Sequence, residues 1–457
     1  MLYNAARDAA DAVSMPKTTE AGITDFSGTT FPPIFVMNLY YTAIGIARSL
    51  RSCPVKVYGL FSEKDSPGTR CRFFKGTYQV PNGRDEPEKL CERLLELRQF
   101  HSLNPVIFPT RDFDVLFLHR YRDRLAPFYR LPHPAGLDIS QLMDKFTIAN
   151  IALNNQIPTP KTRIYACAKE IEQDVKSVCL PLVLKPRFAY YWRQNGAWTK
   201  VGARKAVFVE SLQQLCQECQ QLKSVPGEIL AQEFIRGVDS DIVVFCCYVG
   251  QDGQLLAYFT ARKLRQCPPL FGTGSVVELA DVPSIIPPSL KLLKACGYTG
   301  LAEIEFKYDR ARDQFFFIEI NPRHWDQHEL GNLVHVNLSW VAYQDMVGLS
   351  PERQFPSTLS PNSKWIAERE LAFSLIGNSY RKVIALRSSK NPMQYFAIVS
   401  GTFAELVDIL RGRKIFSILR LSDPVPGILM CFSLMRELSK RIWVSALNFL
   451  STDRRAV

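Results

Sequence analysis

The first third of the chain alternates strand-like apolar segments with helix-like segments, and this alternation most limits the possible fold. Residues 33–36 and 55–60 have the pattern of strands, and a helical segment, residues 43–50, lies between them. A second helix, with leucines at helical spacing, begins at Pro87, and a further apolar segment follows it. Such alternation is typical of a doubly wound parallel sheet. The sequence therefore predicts an N-terminal doubly wound α/β domain over residues 31–135.

The pattern changes after residue 135, where longer apolar strands are separated by loops. The short turn Gln251-Asp252-Gly253 joins two of these strands and indicates antiparallel pairing. We predict an α+β domain over residues 136–350. The remaining residues, 351–457, are predicted to form a helical and basic C-terminal extension.

Charge and cysteine content limit the class of protein. The net charge of +12 favours anionic partners, but the chain carries no module that would predict nucleic-acid binding. The twelve cysteines are scattered, which favours free thiols in a reducing compartment and hence a cytoplasmic protein. No secretory signal or membrane-spanning segment is predicted. Basic and apolar residues alternate in the C-terminal extension, which fits a helix packed on its own protein or peripheral contact with an anionic membrane.

A predicted strand near residue 320 carries side chains suited to a metal ion. Because side chains alternate along a strand, Glu319 and Asn321 share one face, and Phe317 is expected on that face too. Glu305 lies on the preceding apolar strand, and a hairpin would bring it across from Glu319. Two carboxylates and one amide oxygen suit Mg²⁺, which completes its shell with nucleotide phosphates. The sequence therefore predicts a magnesium site at this strand pair.

Upstream residues suit the rest of a nucleotide. Lys185 ends an apolar strand, where its ammonium would need an anion such as phosphate, and Lys145 lies 40 residues earlier. Either lysine, taken singly, could also be structural. Asp241 is placed to meet a ribose hydroxyl. The segment that can offer backbone groups to a purine edge is Gln232, Glu233, Phe234 and Ile235.

In this order the motifs resemble the ATP-grasp superfamily, and within it carboxylate–amine ligases of a subgroup similar to D-aspartate ligases. The resemblance covers roughly residues 140–348. It implies a central two-lobed ATP-grasp module that follows a pre-ATP-grasp domain. The segments that carry the resemblance are Lys145, the strand ending at Lys185, residues 232–235, the strand with Glu305, and the strand with Glu319, Asn321 and Arg323.

The resemblance also implies a role for each position. The groups that would bind the α- and β-phosphates of ATP are Lys145 and Lys185, and those that would hold the adenosine are residues 232–235 and Asp241. The ligands of two Mg²⁺ ions, for which Mn²⁺ could substitute, would be Glu305, Glu319 and Asn321. Arg323 would stabilise the transferred phosphoryl group. The residues that would bind the acyl-phosphate or the substrate carboxylate are Arg262, Lys263 and Arg265.

The implied function is ATP- and Mg²⁺-dependent ligation in cell-envelope or secondary metabolism. ATP would phosphorylate a small-molecule carboxylate, and an amine would displace the phosphate. The alternative is a catalytically idle ATP-binding sensor or scaffold. The first strand-to-helix turn, residues 38–42, lacks the glycines usual in the subgroup, which argues against a small-molecule site there. His324 and His328 follow the metal strand, and the sequence gives them no role.

Overall fold

Four β-sheets, of two, four, four and seven strands, organise the described part of the chain. The structure is a computed structural model that describes residues 23–24, 30–64, 66–193, 196–356, 362–385 and 392–436. Within these ranges no helix is both long and apolar enough to cross a membrane. All twelve cysteines lie in them, and none of these forms a disulfide bond.

The N-terminal region contains a short hairpin and a four-stranded parallel sheet. The hairpin consists of β1 (Ile23–Thr24) and β2 (Thr30–Phe31). The sheet has the order β5-β4-β3-β6, and its strands are β3 (Ile34–Met37), β4 (Val57–Phe61), β5 (Gly76–Gln79) and β6 (Val106–Phe108). The helices are α1 (Tyr41–Ser49), α2 (Pro87–Arg98), α3 (Asp112–Arg120) and α4 (Arg122–Leu125).

Successive residues of β3 belong to two different hydrophobic cores. Ile34 and Val36 pack in the core that contains residues of α1, whereas Phe35 and Met37 pack in the core that contains Leu94 of α2. Side chains alternate along a strand, so helices cover both faces of the sheet. The predicted doubly wound domain is therefore confirmed.

The second four-stranded sheet is antiparallel and has the order β7-β10-β8-β9. It follows the helices α5 (Ile139–Met143) and α6 (Lys145–Asn154). Its strands are β7 (Thr162–Tyr165), β8 (Leu182–Pro186), β9 (Val207–Val209) and β10 (Ile229–Glu233). The helices between these strands are α7 (Ala168–Gln173), α8 (Ala197–Lys200) and α9 (Leu212–Leu222), and α7 and α9 supply part of the core of this lobe.

The seven-stranded sheet has the order β15-β14-β11-β12-β13-β16-β17. Its first five strands in the chain are β11 (Ile242–Val249), β12 (Leu255–Cys267), β13 (Thr273–Leu279), β14 (Gly300–Asp309) and β15 (Gln314–Asn321). The predicted turn joins β11 to the antiparallel β12, and its Gly253 has a φ of 79°. Helix α10 (Ile286–Ala295) precedes β14, and α11 (Leu338–Met346) follows β15. Together with the antiparallel four-stranded sheet, this sheet confirms the two-lobed central module.

The C-terminal extension contains helices, as predicted, but it also completes the large sheet. Its strands are β16 (Lys364–Ile366), which pairs with β13, and β17 (Lys414–Phe416), which runs parallel to β16. Its helices are α12 (Glu368–Ala385), α13 (Pro392–Ile409) and residues 424–436. Strands of three residues are too short to show a two-residue period, so the sequence did not reveal them. The domain boundaries at residues 135 and 350 stay predictions, and residues 437–457 of the extension lie outside the described residues.

Gly45 lies inside α1, although glycine is a poor helix former. A Cβ atom at this position would lie 2.8 Å from Cε1 of the buried His328 ring. We expect Gly45→Ala to lower the free energy of unfolding by about 1–3 kcal/mol because of this clash. The matched control is Gly401→Ala in α13, where a Cβ would meet nothing within 4 Å. It should raise the free energy of unfolding by about 0.5–1 kcal/mol through helix propensity.

Urea unfolding measures the free energy of unfolding of both variants. An equal increase in the two variants would show that the Cβ of residue 45 does not clash with His328.

Candidate active site

A cavity of about 270 Å³ lies between the antiparallel four-stranded sheet and the seven-stranded sheet. Its walls include residues of β8 and β10 from one sheet and of β12, β14 and β15 from the other. The charged residues that line it are Asp112, Lys145, Lys185, Arg193, Lys205, Glu233, Lys263, Glu305, Lys307, Glu319 and Arg323. Cations outnumber anions in this set, so the cavity suits a ligand with several negative charges, such as a polyphosphate.

The strand pair β14–β15 brings the predicted metal ligands together. Glu305 pairs directly with Glu319, and Glu303 pairs with Asn321. Directly opposed residues project from the same face of a sheet, so the four side chains lie side by side. The predicted position of Glu305 across from Glu319 is confirmed.

The expected position of Phe317 on this face is wrong. The register shifts between Glu305 and Phe306, and Phe306 pairs with Phe317, so Ile318 is an extra residue in β15. Such a bulge reverses the alternation of the residues before it. Phe317 consequently packs with Phe306 and Ile304 in the hydrophobic core behind the sheet.

Two lysines neutralise the facing carboxylates. Nζ of Lys145, at the start of α6, donates a hydrogen bond to Oε2 of Glu319 at 2.6 Å. Lys263 on β12 forms a buried ion pair with Glu305. The Lys145 ammonium holds the pKa of Glu319 well below its usual range. Burial alone would lower the pKa of Lys263, but the carboxylates of Glu305 and Glu303 raise it.

The donor set at the strand pair fits Mg²⁺. It offers the hard oxygens that this ion prefers, from Glu305, Glu319 and Asn321. The two carboxylates carry negative charge that the lysines now balance and that a divalent cation would balance as well. Within the described residues no group of three His, Cys, Asp or Glu side chains could hold a metal ion, so the predicted set depends on the Asn321 amide as its third ligand. The metal-binding role of these three residues stays a prediction.

Lys185 lies in β8 and is buried in the cavity wall. Its Nζ donates to Oε1 of Gln232 at 2.7 Å, and Nε2 of Gln232 donates to Oγ1 of Thr162 at 2.8 Å. The Gln232 side chain therefore positions the lysine. Burial, and to a smaller extent the nearby charge of Lys145, lower the pKa of Lys185 to about 7. A buried ammonium with only a neutral partner is suited to receive an anion.

The predicted adenine segment lies at the edge of the same cavity. The backbone N–H groups of Glu233 and Phe234 donate to the carbonyls of Lys161 and Pro181. An adenine edge would therefore meet Ile235 and the carbonyl groups rather than those two donors. The ring of Phe234 lies 4.5 Å from that of Phe208, centroid to centroid. Nζ of Lys307 lies 4.8 Å from the Phe234 centroid.

Three predicted residues do not line this cavity. Asp241 accepts hydrogen bonds from Arg310, at 2.6 Å to its Nη2, and lines a separate cavity together with Arg262. Arg265 forms an ion pair with Glu405 of α13 and donates to Oγ of Ser374 at 2.7 Å. The prediction of Asp241, Arg262 and Arg265 in one site with Lys263 is therefore corrected. Strand alternation turns Arg262 away from Lys263, and an irregularity between Lys263 and Arg265 turns Arg265 towards the C-terminal helices.

The sequence reasoning missed three basic residues that line the cavity, Lys307, Lys205 and Arg193, and also Glu303, which pairs with Asn321 beside it. Glu303 and Lys307 lie on β14, two residues before and after Glu305. The two-residue alternation of side chains along a strand could therefore have predicted that they share its face. Glu303 is buried and accepts a hydrogen bond from Nδ2 of Asn321 at 2.9 Å, and burial raises its pKa to about 7. Lys205 and Arg193 stand in the segment between β8 and β9, where no local pattern marks them.

The N-terminal domain contributes directly to the site through Asp112. Nε of Arg323 donates to Oδ1 of Asp112 at 2.7 Å, and its Nη2 lies 3.3 Å from Oδ1 of Asn321. Arg323 thus joins α3 to the end of the metal strand. His324 packs on Phe108 of β6 with ring centroids 4.7 Å apart, and His328 packs on His324 at 5.0 Å. Both histidines are buried, and burial lowers the pKa of each. Their contacts give them a packing role between the domains.

A second cavity of about 260 Å³ adjoins the first, with which it shares Asp112, Ala189, Tyr190 and Arg193. It lies at the carboxyl ends of the parallel strands, where open α/β sheets bind ligands. Asn38 takes the left-handed conformation there, with a φ of 57°, and its Nδ2 donates to Asp114. Asn38 can therefore make the turn for which glycine was expected, and the glycine-free sequence does not prevent a cavity at this turn.

Comparison with known proteins gives similarities in sequence and in fold. Residues 278–335 match the family described as the carbamoyl-phosphate synthase L chain, ATP binding domain. The chain is 23% identical over 336 residues to D-aspartate ligase from Enterococcus faecium, an alignment that covers 70% of this chain and 78% of that protein.

Solved structures share the fold at low identity. The biotin carboxylase domain of Hydrogenobacter thermophilus 2-oxoglutarate carboxylase, in complex with MgADP, ADP and bicarbonate, has a TM-score of 0.57 at 15% identity and covers 74% of each chain. The N5-carboxyaminoimidazole synthetase of Staphylococcus aureus with ADP has a TM-score of 0.56 at 15% identity, covering 71% of this chain and 80% of that one. L-amino acid ligase from Bacillus licheniformis has a TM-score of 0.53 at 15% identity, covering 69% and 74%.

Two sheets that enclose a lysine-rich cavity, with a carboxylate pair on one of them, are the arrangement that the resemblance to ATP-grasp proteins implied. The chain has a segment that matches an ATP-binding domain and is a homologue of D-aspartate ligase, as its motifs predicted.

Proposed function

We propose that the protein is an ATP-dependent ligase that joins a small-molecule carboxylate to an amine. The observation that carries the proposal is the pair Glu305–Glu319, which faces the same cavity as Lys145, Lys185 and Lys263. Carboxylates for a metal and ammonium groups for phosphates are what phosphoryl transfer from ATP requires. The names of the relatives, D-aspartate ligase and L-amino acid ligase, support an amino acid or a related acid as the substrate class.

Each cavity residue has a defined task in this proposal. Lys145 and Lys185 bind the α- and β-phosphates, and residues 234–235 border the adenine. The ligands of Mg²⁺, or of Mn²⁺ in its place, are Glu305, Glu319 and Asn321. A bound metal supplies positive charge to the phosphoryl oxygens during transfer. We assign no ribose contact to Asp241, because it lies outside the cavity.

The chemistry consists of two displacements. An oxygen of the substrate carboxylate attacks the γ-phosphorus of ATP, the bond to the β-phosphate oxygen breaks, and ADP leaves. The amine nitrogen then attacks the carbonyl carbon of the acyl-phosphate, the bond from that carbon to the phosphate oxygen breaks, and inorganic phosphate and one proton of the amine leave as the amide forms. Arg323 and Lys263 stabilise the negative charge that develops on the transferred group and on the carbonyl oxygen. The protein acts by positioning and charge neutralisation, so it needs no nucleophilic side chain.

The second cavity is the place that we propose for the acid. Arg193 lines both cavities, and Arg84 and Arg111 line the second one. The two cavities adjoin at the residues that they share. An acid held in the second cavity would therefore extend its carboxylate towards Arg323 in the first. A cytoplasmic location is part of the proposal, because all twelve cysteines are free thiols and because ATP is the proposed substrate. Peripheral membrane contact of the C-terminal extension is a separate proposal.

A hydroxylamine trap tests the proposed reaction. An acyl-phosphate reacts with this strong nucleophile when the natural amine is absent. Incubation with ATP, Mg²⁺, hydroxylamine and a panel of amino acids and other small carboxylic acids should yield a hydroxamate and ADP for at least one acid. With that acid, Arg84→Gln should raise its KM without a change in the KM for ATP.

The other outcomes of this assay each identify a different protein. AMP with pyrophosphate would mean adenylation of the acid rather than phosphorylation. ADP without hydroxamate would mean a kinase or an ATPase. Binding of ATP without any turnover across the panel would favour the alternative, an idle ATP-binding sensor or scaffold.

A further inference from the structure

The C-terminal helix α13 exposes a row of large apolar side chains. Phe396, Val399 and Phe403 are 66–68% exposed, and Val407 and Leu410, the residue directly after the helix, continue the row at 39% each. Their spacing of three or four residues puts them on one face of the helix. We call these five residues the apolar face. No charged residue occupies this face, because Glu405 and Asp408, the acidic residues of α13, lie on its other sides.

The exposure of the apolar face is not the result of a detached helix. On the opposite side of α13, Ile409 is buried, and Oγ1 of Thr402 lies 2.9 Å from Oγ of Ser379 in α12. Glu405 forms its ion pair with Arg265 of the large sheet. The helix is therefore held against the protein by one side while the apolar face points away from it.

A second apolar row lies in residues 421–432. Leu421 is fully exposed, and Ile428, Leu429 and Phe432 are 51%, 43% and 63% exposed. This segment is fixed as well, because Asp423 forms a buried ion pair with Arg48 of α1 at 3.1 Å, and Met430 lies in the hydrophobic core. Two anchored segments that both expose large apolar side chains indicate a surface that meets an apolar partner.

The net charge of the same region indicates which kind of partner this surface contacts. From residue 411 to the C-terminus the sequence has nine Lys or Arg residues and three Asp or Glu residues. Arg411, Arg413 and Lys414 follow the apolar face directly. A second copy of the chain would bring the same positive excess against it, whereas anionic lipid headgroups complement it. Aromatic and aliphatic side chains flanked by basic residues are typical of helices that lie in a membrane interface.

We propose that the apolar face of α13 and the row at residues 421–432 dock the protein on an anionic phospholipid bilayer. Phe396 and Phe403 enter the boundary between headgroups and acyl chains, and the basic residues that follow α13 contact the headgroups. This attachment is independent of the proposed ligase reaction, because none of these residues lines the ATP cavity.

Vesicle flotation with the full chain tests the proposal. The protein should float with vesicles of equal parts phosphatidylcholine and phosphatidylglycerol, should not float with phosphatidylcholine alone, and should be released by high salt. Phe396→Ser with Phe403→Ser should lower the bound fraction about ten-fold. The matched control is Phe128→Ser, which removes an aromatic ring that is 45% exposed in another part of the protein and should leave binding unchanged.

The oligomeric state separates this proposal from self-association. If wild-type protein fails to bind anionic vesicles and is a dimer that the double substitution makes monomeric, the apolar face is an interface between copies, and the proposal is wrong. Absence of vesicle binding by a monomeric wild type also overturns it. Wild-type binding and its salt dependence involve no substitution, so misfolding of a variant cannot decide the outcome.

Discussion

Glu319→Gln is expected to reduce kcat for hydroxamate formation by at least about a hundred-fold while the protein stays folded. Glu319 faces Glu305 across the strand pair, and its carboxylate is the partner of the Lys145 ammonium. A glutamine of the same shape keeps the packing but removes the negative charge that a divalent cation needs. The substitution should lower kcat rather than raise KM, because charge develops on the phosphoryl group during its transfer.

The control for this substitution is Glu218→Gln. The Glu218 carboxylate also pairs with a cation, Arg204, at 2.8 Å, but it lies on α9 outside the cavity. Both variants therefore lose one carboxylate of an ion pair, and only Glu319→Gln should lose turnover. Steady-state kinetics at saturating Mg²⁺, with circular dichroism to check folding, compares the two. A kcat above about a tenth of the wild-type value in Glu319→Gln would remove this residue from the metal site.

The sequence predicted which side chains lie together wherever they belong to one strand or to two adjacent strands. The two-residue period of β14 and β15 was enough to predict that Glu305 and Glu319 face one another, because a tight hairpin leaves few possible registers. The same reasoning failed at Phe317, where a single bulged residue reversed the faces. It failed again at Arg265, next to an irregularity in β12. A bulge is fixed by pairing with the neighbouring strand, so the strand's own sequence does not show it.

Local sequence patterns could not predict contacts between segments that are far apart in the chain. Asp112 begins α3 of the N-terminal domain and meets Arg323, which is 211 residues away. Lys205 stands between β8 and β9 and lines the cavity only because the two sheets enclose it. Neither residue has neighbours in the sequence that would mark it. The order of the motifs predicted the likeness to ATP-grasp ligases, whereas the full set of charges around the cavity required the fold.

Nucleotide binding at pH 8 should be accompanied by net proton uptake, and Lys185→Met should remove a large part of it. Burial lowers the pKa of Lys185 to about 7, so its amine is mostly neutral at pH 8 in the absence of nucleotide. A bound phosphate favours the ammonium form and raises this pKa, so the amine takes up a proton on binding. Near pH 6 the amine is already charged before nucleotide binds, so its contribution to the proton uptake should be small. Lys205, whose pKa burial lowers to about 8, should contribute the remainder.

Titration calorimetry with ADP and Mg²⁺ in buffers of different ionisation enthalpy measures this uptake. Lys185→Met should weaken binding by about 1.5–3 kcal/mol, which is the range for a hydrogen bond to a charged group. The comparison variant is Lys145→Met. Burial alone would lower the pKa of Lys145, but the Glu319 carboxylate raises it, so Lys145 is charged before nucleotide binds. Lys145→Met should therefore weaken binding and yet retain most of the uptake, because burial, the larger cause of the low Lys185 pKa, is unchanged. Equal proton uptake by wild type and Lys185→Met would show that Lys185 does not receive the phosphate charge.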